Sequence, residues 1–332
     1  MAYEANHPGV RMWTRDIRKV SPKRMMRSLG LGVGELDLLG GCPPCEGFSK
    51  MRTLNGGRKI TDPRNDLIVE YLRFVRVMRP MTLMLENVPG LAADARFVSF
   101  INSLRRLGYR IRFRILDTAM YGVPQRRRRL LMLGSRTKII PFARSSSRKR
   151  TVRDAIEGLA TFGASGDPCH DVVERREPRI LEMIRRIPKD GGSRLDLGPE
   201  DQLECHRMCD GFKDVYGRMR WDAVAPTITG GFPNPSKGRF LHPSENRCIT
   251  PREAALLQTF PEDYAFPISA GKYPVARLIG DALPPEFVRR QAVRIRRHIL
   301  NHHARGLQHA NVQSVPVLGS RKPHRSRTRL GP

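Results

Sequence analysis

The chain has 332 residues, enough for one large domain or two smaller ones with a real core. Sixty Lys and Arg against 32 Asp and Glu give a formal charge of +28, an excess that points to a polyanion, most simply nucleic acid. No run of about 18 apolar residues is present to cross a membrane. The amino terminus lacks a signal peptide's apolar stretch, and six cysteines are too few for a disulfide framework in a chain this long, which fits a reducing cytoplasm.

In chain order, residues 9–17 read as a short strand and turn. Gly30, Gly32 and Gly34 miss a G-x-G-x-x-G pattern because position 35 is Glu35, so they read as a loop before a strand at 36–40. Next comes Gly41-Cys42-Pro43-Pro44-Cys45-Glu46-Gly47-Phe48-Ser49. Its prolines fix φ and remove two backbone donors, and its glycines permit a tight turn. A cysteine on a rigid loop beyond a strand is well placed as a nucleophile. Only the thiolate attacks, and at an ordinary pKa of roughly 8.5 a few per cent is ionised at neutral pH. Cys45 is the candidate. The Cys42-x-x-Cys45 spacing also fits a redox pair or half a zinc site, with Cys205 and Cys209 as an imperfect second half. An inert buried cysteine is the third reading.

Apolar residues at Leu67, Ile68, Tyr71, Leu72, Val75 and Met78 predict a helix over 66–78 that stops at Arg79-Pro80. Residues 82–85 read as a buried strand closed by Glu86-Asn87-Val88-Pro89-Gly90, followed by a helix over about 97–107. Strands at 109–116 and 129–134 flank a turn at Tyr121-Gly122-Val123-Pro124. This alternation predicts an α/β fold with a largely parallel sheet. Ligands of such sheets sit at the carboxyl ends of strands, where Cys45 and Glu86 can share one pocket. From about 137 to 245 the periodicity weakens into a Gly-, Pro- and Arg-rich stretch, read as a second, smaller domain. Helical patterning returns at Pro251–Gln258 and Val275–Arg296, and residues 297–332 read as a basic, disordered tail.

The ordered set carries more than any member. It runs Pro43-Pro44-Cys45-Glu46-Gly47-Phe48-Ser49, then Glu86-Asn87-Val88, then Gln125-Arg126-Arg127-Arg128-Arg129. Arg247 to Glu253, Leu257 to Pro261 and Ile279 to Pro285 follow. In this order the blocks resemble the DNA cytosine-C5 methyltransferase family over about residues 2–296. The resemblance implies a Rossmann-like S-adenosylmethionine-dependent fold, with residues 1–136 and 246–296 catalytic and 137–245 a target-recognition domain. It displaces the zinc reading and implies no metal.

The chemistry explains the residue types. Cytosine C5 is a poor nucleophile until a thiolate adds to C6 and makes C5 enamine-like. By the resemblance Cys45 supplies that thiolate. Glu86 meets the electron density pushed toward N3, although alone it would read as a helix cap. Arg127 and Arg129 hold the base carbonyl and a nearby phosphate, while Arg126 and Arg128 point the other way if 125–129 is extended. The base must be flipped out of the duplex. Ser49, Lys50 and Arg52 lie in the loop expected to close on DNA, and Thr227 in the Thr-hydrophobic element of the recognition segment.

Cofactor contacts implied by the resemblance are Asp16, Ile17, Leu67, Asp281 and Leu283, with Asp281 standing where the family usually has asparagine. The family's opening strand with its Phe-x-Gly-x-Gly loop and the ribose-binding acid are not matched. This leaves three explanations: a start codon placed too far downstream, a partner chain supplying the missing motif, or a decayed gene. The implied setting is the cytoplasm at the nucleoid, with duplex DNA as partner and a cognate restriction endonuclease as a second; a solitary or phage-borne enzyme is the alternative. The rivals are a catalytically inactive DNA-binding remnant and the tRNA-directed branch of the scaffold, whose Cys-Phe-Thr element is not found.

Overall fold

The computed structural model describes residues 2–44, 67–204 and 213–313, with side chains through Ala304. Cys45, Ser49, Lys50, Arg52, Cys205 and Cys209 lie outside the described residues. Helix α1 (Ala2–Asn6) opens the chain, and residues 9–16 are irregular rather than the expected strand. Asp16 caps a 3-10 turn at Ile17–Lys19 by accepting from Arg18 N, which ends any extended run there. Helix α2 (Pro22–Ser28) starts on an N-cap Ser21 with proline in its first turn.

Strand β1 (Leu38–Gly41) pairs in parallel with β2 (Thr82–Asn87). Between them α3 (Leu67–Met78) buries Ile68, Tyr71, Leu72, Phe74, Val75 and Met78, the apolar stripe its spacing predicts. Tyr71 ties the helix to both strands, its hydroxyl donating to Leu39 O at 2.9 Å and lying 3.3 Å from Met84 O. Its ring also explains a glycine: a Cβ on Gly41 would lie 2.6 Å from it, so the β1 end stays bare. Helix α4 (Ala95–Arg106), capped by Asp94, packs Phe97, Phe100, Ile101 and Leu104 on the same side of the sheet.

Among the described residues the sheet is mixed and mostly parallel, β1, β2 and β3 (Arg110–Asp117) running one way and β4 (Arg128–Ser135) alone the other. Strand order is β1-β2-β4-β3, and β4 runs antiparallel to both β2 and β3. The connection over residues 118–127 is a 3-10 turn ending in left-handed Gly122 (φ 80°). It is shorter than the dozen or so residues a parallel crossover requires, so the chain folds straight back between β2 and β3.

Beyond β4 the chain builds two further cores. In one, α6 (Pro178–Arg186) packs Met183 and Ile184 with Ile187, Val215, Tyr216 and Leu241. Fully buried Arg218 lies beneath it, donating to the carbonyls of Ile184, Ile187, His242 and Glu245. In the other, Val152 and the short helix α5 (Arg153–Ile156) join Met219, Ala225, Ile228 and Phe232. These pack on α7 (Pro251–Leu257) and α8 (Lys272–Asp281), so this core draws on both sides of residue 245.

The tail reading changes at its start. Helix α9 (Pro285–Gln313) continues past Arg296. The stripe Phe287, Ile295 and Ile299 packs on Met84, Leu131 and Leu133. His298 lies 2.8 Å from Ser135 Oγ and 2.9 Å from Thr137 Oγ1, and His303 lies 3.1 Å from Asp37 Oδ1, which gives the extra turns something to hold. Residues 314–332 lie outside the described residues.

Candidate active site

Glu86 sits near the carboxyl end of β2, and Arg129 near the start of β4. Antiparallel pairing sets Glu86 opposite Leu131, and alternation places Arg129 on the same face as Leu131. The two side chains form an ion pair, Arg129 Nε to Glu86 Oε1 at 2.9 Å, with 15% and 12% of them exposed. A partly desolvated pair of this kind is anchored by geometry as well as charge. The next residue, Asn87, donates from Nδ2 to Pro43 O at 3.1 Å and accepts from Val88 N at 2.9 Å. The segment that leads into Cys45 is thus tied to the end of β2.

Cys42 follows β1 directly and lies beside Glu86 through the parallel register. The residue is exposed as a whole, yet desolvation at its sulfur and then the Glu86 carboxylate push its thiol up to about 12. Cys42 is therefore a protonated hydrogen-bond donor at neutral pH, a poor attacking group beside a carboxylate. No group of three metal-ligating side chains occurs among the described residues.

The alternation expected over 125–129 is present: Gln125 and Arg127 are buried, while Arg126 and Arg128 are exposed. Residues 124–127 zip against 225–228 through Ala225 N to Pro124 O (2.9 Å), Arg126 N to Ala225 O (2.9 Å) and Thr227 Oγ1 to Arg126 O (2.8 Å). Arg127 donates to Ile228 O at 2.9 Å and Gly280 O at 2.8 Å. Thr227 and Arg127 thereby tie residues 225–228 and Gly280 to residues 124–127, whereas Arg129 faces Glu86.

The sequence reading assigned no role to two glutamines that complete this junction. Gln125 Oε1 accepts from Ile228 N at 2.7 Å, and its Nε2 donates to Gln258 Oε1 at 2.9 Å. Gln258 in turn donates to Ile279 O at 2.5 Å. Both are fully buried. Gly280 then touches Gly230 backbone to backbone, since a Cβ there would stand 2.2 Å from Gly230 N. Membership of the quoted blocks was the only sequence signal for either glutamine. A cavity of about 250 Å³ opens beside this junction, lined by Met219, Arg220, Pro226 and Arg239 among others.

A second buried set stands behind it. Arg247 donates to both oxygens of Glu253 (2.8 and 2.7 Å), and Glu253 closes a capping box with Thr250 at the start of α7. Burial alone would raise the Glu253 carboxyl, but the Arg247 bonds and charge outweigh it and hold the group below its ordinary value.

The expected cofactor contacts are each held by local partners. Asp16 spends both oxygens on Arg18, which holds its carboxyl down at about 2. Ile17 sits by α3 through its carbonyl, which accepts from Arg73 at 2.7 Å, and Leu67 begins that helix. Asp281 is 72% exposed beside Arg277, and Leu283 packs in the α9 core. No hydrogen bond or ion pair joins Asp16 or Ile17 to Asp281 or Leu283 among the described residues. The cavity nearest Ile17, about 360 Å³, is lined by Arg11, Arg15, Lys19 and Arg24, a poor fit for a sulfonium and an ammonium.

Solved structures with the same architecture define the class. An E. coli prophage protein described as a DNA modification methyltransferase superposes with a TM-score of 0.65 at 19% identity, over 90% of this chain and 89% of that one. The S. pombe Dnmt2 methyltransferase does so at 0.54 and 18%, over 90% and 87%. The fold is that of an α/β methyltransferase. The profile of C-5 cytosine-specific DNA methylases matches residues 1–297, and the chain belongs to that family. Type II methylase M.HgiDII of Herpetosiphon aurantiacus is 37% identical over 282 residues, 81% of this chain and 78% of its own length. Type II methyltransferase M1.BsuMI of Bacillus subtilis is 34% identical over 268 residues, 77% of this chain and 60% of its own. Family and fold together imply S-adenosylmethionine as methyl donor.

Proposed function

We propose that the chain modifies duplex DNA in a type II restriction–modification setting, by a covalent mechanism run from Cys45, Glu86 and Arg129. The observation that carries the mechanism is the Glu86–Arg129 pair at 2.9 Å, beside the segment that leads into Cys45. The type II names of the relatives support the setting.

In this reading the Cys45 thiolate adds to C6 of an extruded cytosine, and the displaced electrons run toward N3. Glu86 shares a proton with N3, and Arg129 keeps that carboxyl in place and faces the ring carbonyl. C5 becomes enamine-like and nucleophilic. S-adenosylmethionine would supply an electrophilic methyl group. Loss of the C5 proton and expulsion of the Cys45 thiolate restore the aromatic ring. Arg127 acts at one remove, holding the carbonyls of Ile228 and Gly280. Residues 137–245, with the basic cavity at Arg220 and Arg239, supply target recognition. Thr227 fixes the segment at 225–228, and Ser49, Lys50 and Arg52 would contact DNA phosphates.

The test is transfer of labelled methyl from S-adenosylmethionine to duplex DNA and to tRNA, with 5-methylcytosine as the product sought. The proposal expects label in duplex DNA that Cys45→Ala abolishes. Label confined to tRNA, or retained in Cys45→Ala, contradicts it.

A further inference from the structure

We propose that the exposed edge of β3 is a second phosphate-binding ridge, which holds duplex DNA outside the target site. The proposal rests on the reading that this chain binds DNA. Strand β3 has the sequence RIRFRILD, so Arg110, Arg112 and Arg114 stand on one face and Ile111, Phe113 and Ile115 on the other. It is an edge strand, paired only with β4 among the described residues.

Nothing on the sheet neutralises the three guanidinium groups. Their cross-strand neighbours on β4 are Ser135, Leu133 and Leu131, and no ion pair among the described residues involves any of the three. Elsewhere exposed arginines find carboxylates, as Arg153 does with Asp222 and Glu157, and Arg289 with Glu286. Arg112 is steadied instead by an aromatic face, its guanidinium 5.5 Å from the Phe142 ring.

Spacing and place fit a phosphate backbone. Alternate residues of a strand are about 7 Å apart, so the three heads span about 14 Å, or roughly four steps of duplex axis at about 3.4 Å each. Arg114, Leu131 and Glu86 lie on one rung of the sheet, which puts Arg114 about 10 Å from Glu86 across two strand spacings. Arg112 and Arg110 continue away from the site along the rungs of Met84 and Thr82. Guanidinium groups bind phosphate oxygens in bidentate fashion and stay charged at every working pH. Charged edge positions also discourage strand pairing, and an acidic peptide could add to the same edge. The experiment separates all three.

Binding of the full chain to a duplex of about 30 base pairs and to a hairpin duplex of about 6, long enough only for the cleft, is followed against salt. The proposal expects Arg110→Gln/Arg112→Gln/Arg114→Gln to lower the slope of log K against log[salt] by about 2.7 on the long duplex, about 0.9 for each lost phosphate contact. The short duplex is unaffected, and the triple Arg→Lys variant keeps the parent slope because it keeps the charge. An unchanged slope on the long duplex overturns the proposal, as does a Lys variant that behaves like the Gln one. If the triple Gln variant aggregates, the single variants are read instead, each about 0.9 lower; unchanged single slopes leave only edge protection and overturn the ridge. Loss of acidic-peptide binding with an unchanged DNA slope overturns it too. A parent chain that binds neither duplex defeats the DNA-binding reading itself, a different outcome from a parent that binds both and a variant that matches it.

Discussion

Replacing Gln258 with leucine cuts a buried relay at both ends. The residue accepts from Gln125 at 2.9 Å and donates to Ile279 O at 2.5 Å, with none of its surface exposed. Leucine keeps the volume but leaves the Gln125 amide and the Ile279 carbonyl without these partners. Each buried orphan costs about 1–3 kcal/mol, and relief of the amide's own desolvation returns about 1. The expected net loss is therefore about 1–5 kcal/mol, a large share of the 5–15 kcal/mol typical of a folded protein. Urea denaturation should show a lower midpoint at unchanged slope, because the surface exposed on unfolding is the same. Gln125→Leu should cost a similar amount, and the double variant about 1 kcal/mol or more less than the sum, since the shared bond is counted twice. A loss under about 0.5 kcal/mol, or strict additivity, would refute the claim that these two glutamines lock Ile228 to Ile279.

Glu253→Gln should cost about 3–5 kcal/mol, because Arg247 then keeps a buried charge without its carboxylate. The folded carboxyl lies below its unfolded value, so its contribution is full above about pH 4.3 and lost as pH falls through the folded pKa. Urea midpoints from pH 3 to 7 should accordingly be flatter in the variant, and a parallel decline in both proteins would count against the pairing. Gly280→Ala places a methyl 2.2 Å from Gly230 N and 2.3 Å from Thr229 C. The strain of about 1–3 kcal/mol should lower the melting temperature by several degrees; an unchanged melting curve would mean the two backbones do not meet. Alkylation of Cys42 at pH 8, followed by peptide mass spectrometry, should be far slower than that of a free thiol, because its pKa is pushed up to about 12. Reaction at an ordinary rate would remove Glu86 from its side.

Local patterns were legible. The stripe Leu67 to Met78, the apolar run ending at Glu86 and the alternation of Arg127 with Arg126 and Arg128 each depend on neighbours within a turn or a strand, and each appears near the expected place. What failed depends on partners far along the chain. Which strand of the mixed sheet reverses follows from a short return through Gly122, which apolar runs do not encode. Helix α9 persists past Arg296 because His298 finds Ser135 and Thr137, some 160 residues earlier. Residues 9–16 carry a strand-like composition, yet Asp16 turns the chain by capping. At the site, the resemblance located Glu86 and Arg129, which meet. It could not reveal that Arg127 serves the backbone of Ile228 and Gly280, or that Gln125 and Gln258 join them, because single polar residues acquire such roles only from what is packed against them.

The central claim is that the Cys45 thiolate adds to C6 of cytosine with Glu86 opposite. That addition makes C5 exchange its hydrogen with water even before any methyl group is offered, so it can be watched without a methyl donor. Release of tritium from duplex DNA carrying 5-tritiated cytosine is the direct measurement. The account predicts release by the parent chain and by Cys42→Ser, a fall of about 10²–10⁴ in Glu86→Gln, and none in Cys45→Ala. Release that survives in Cys45→Ala and disappears in Cys42→Ser would contradict it.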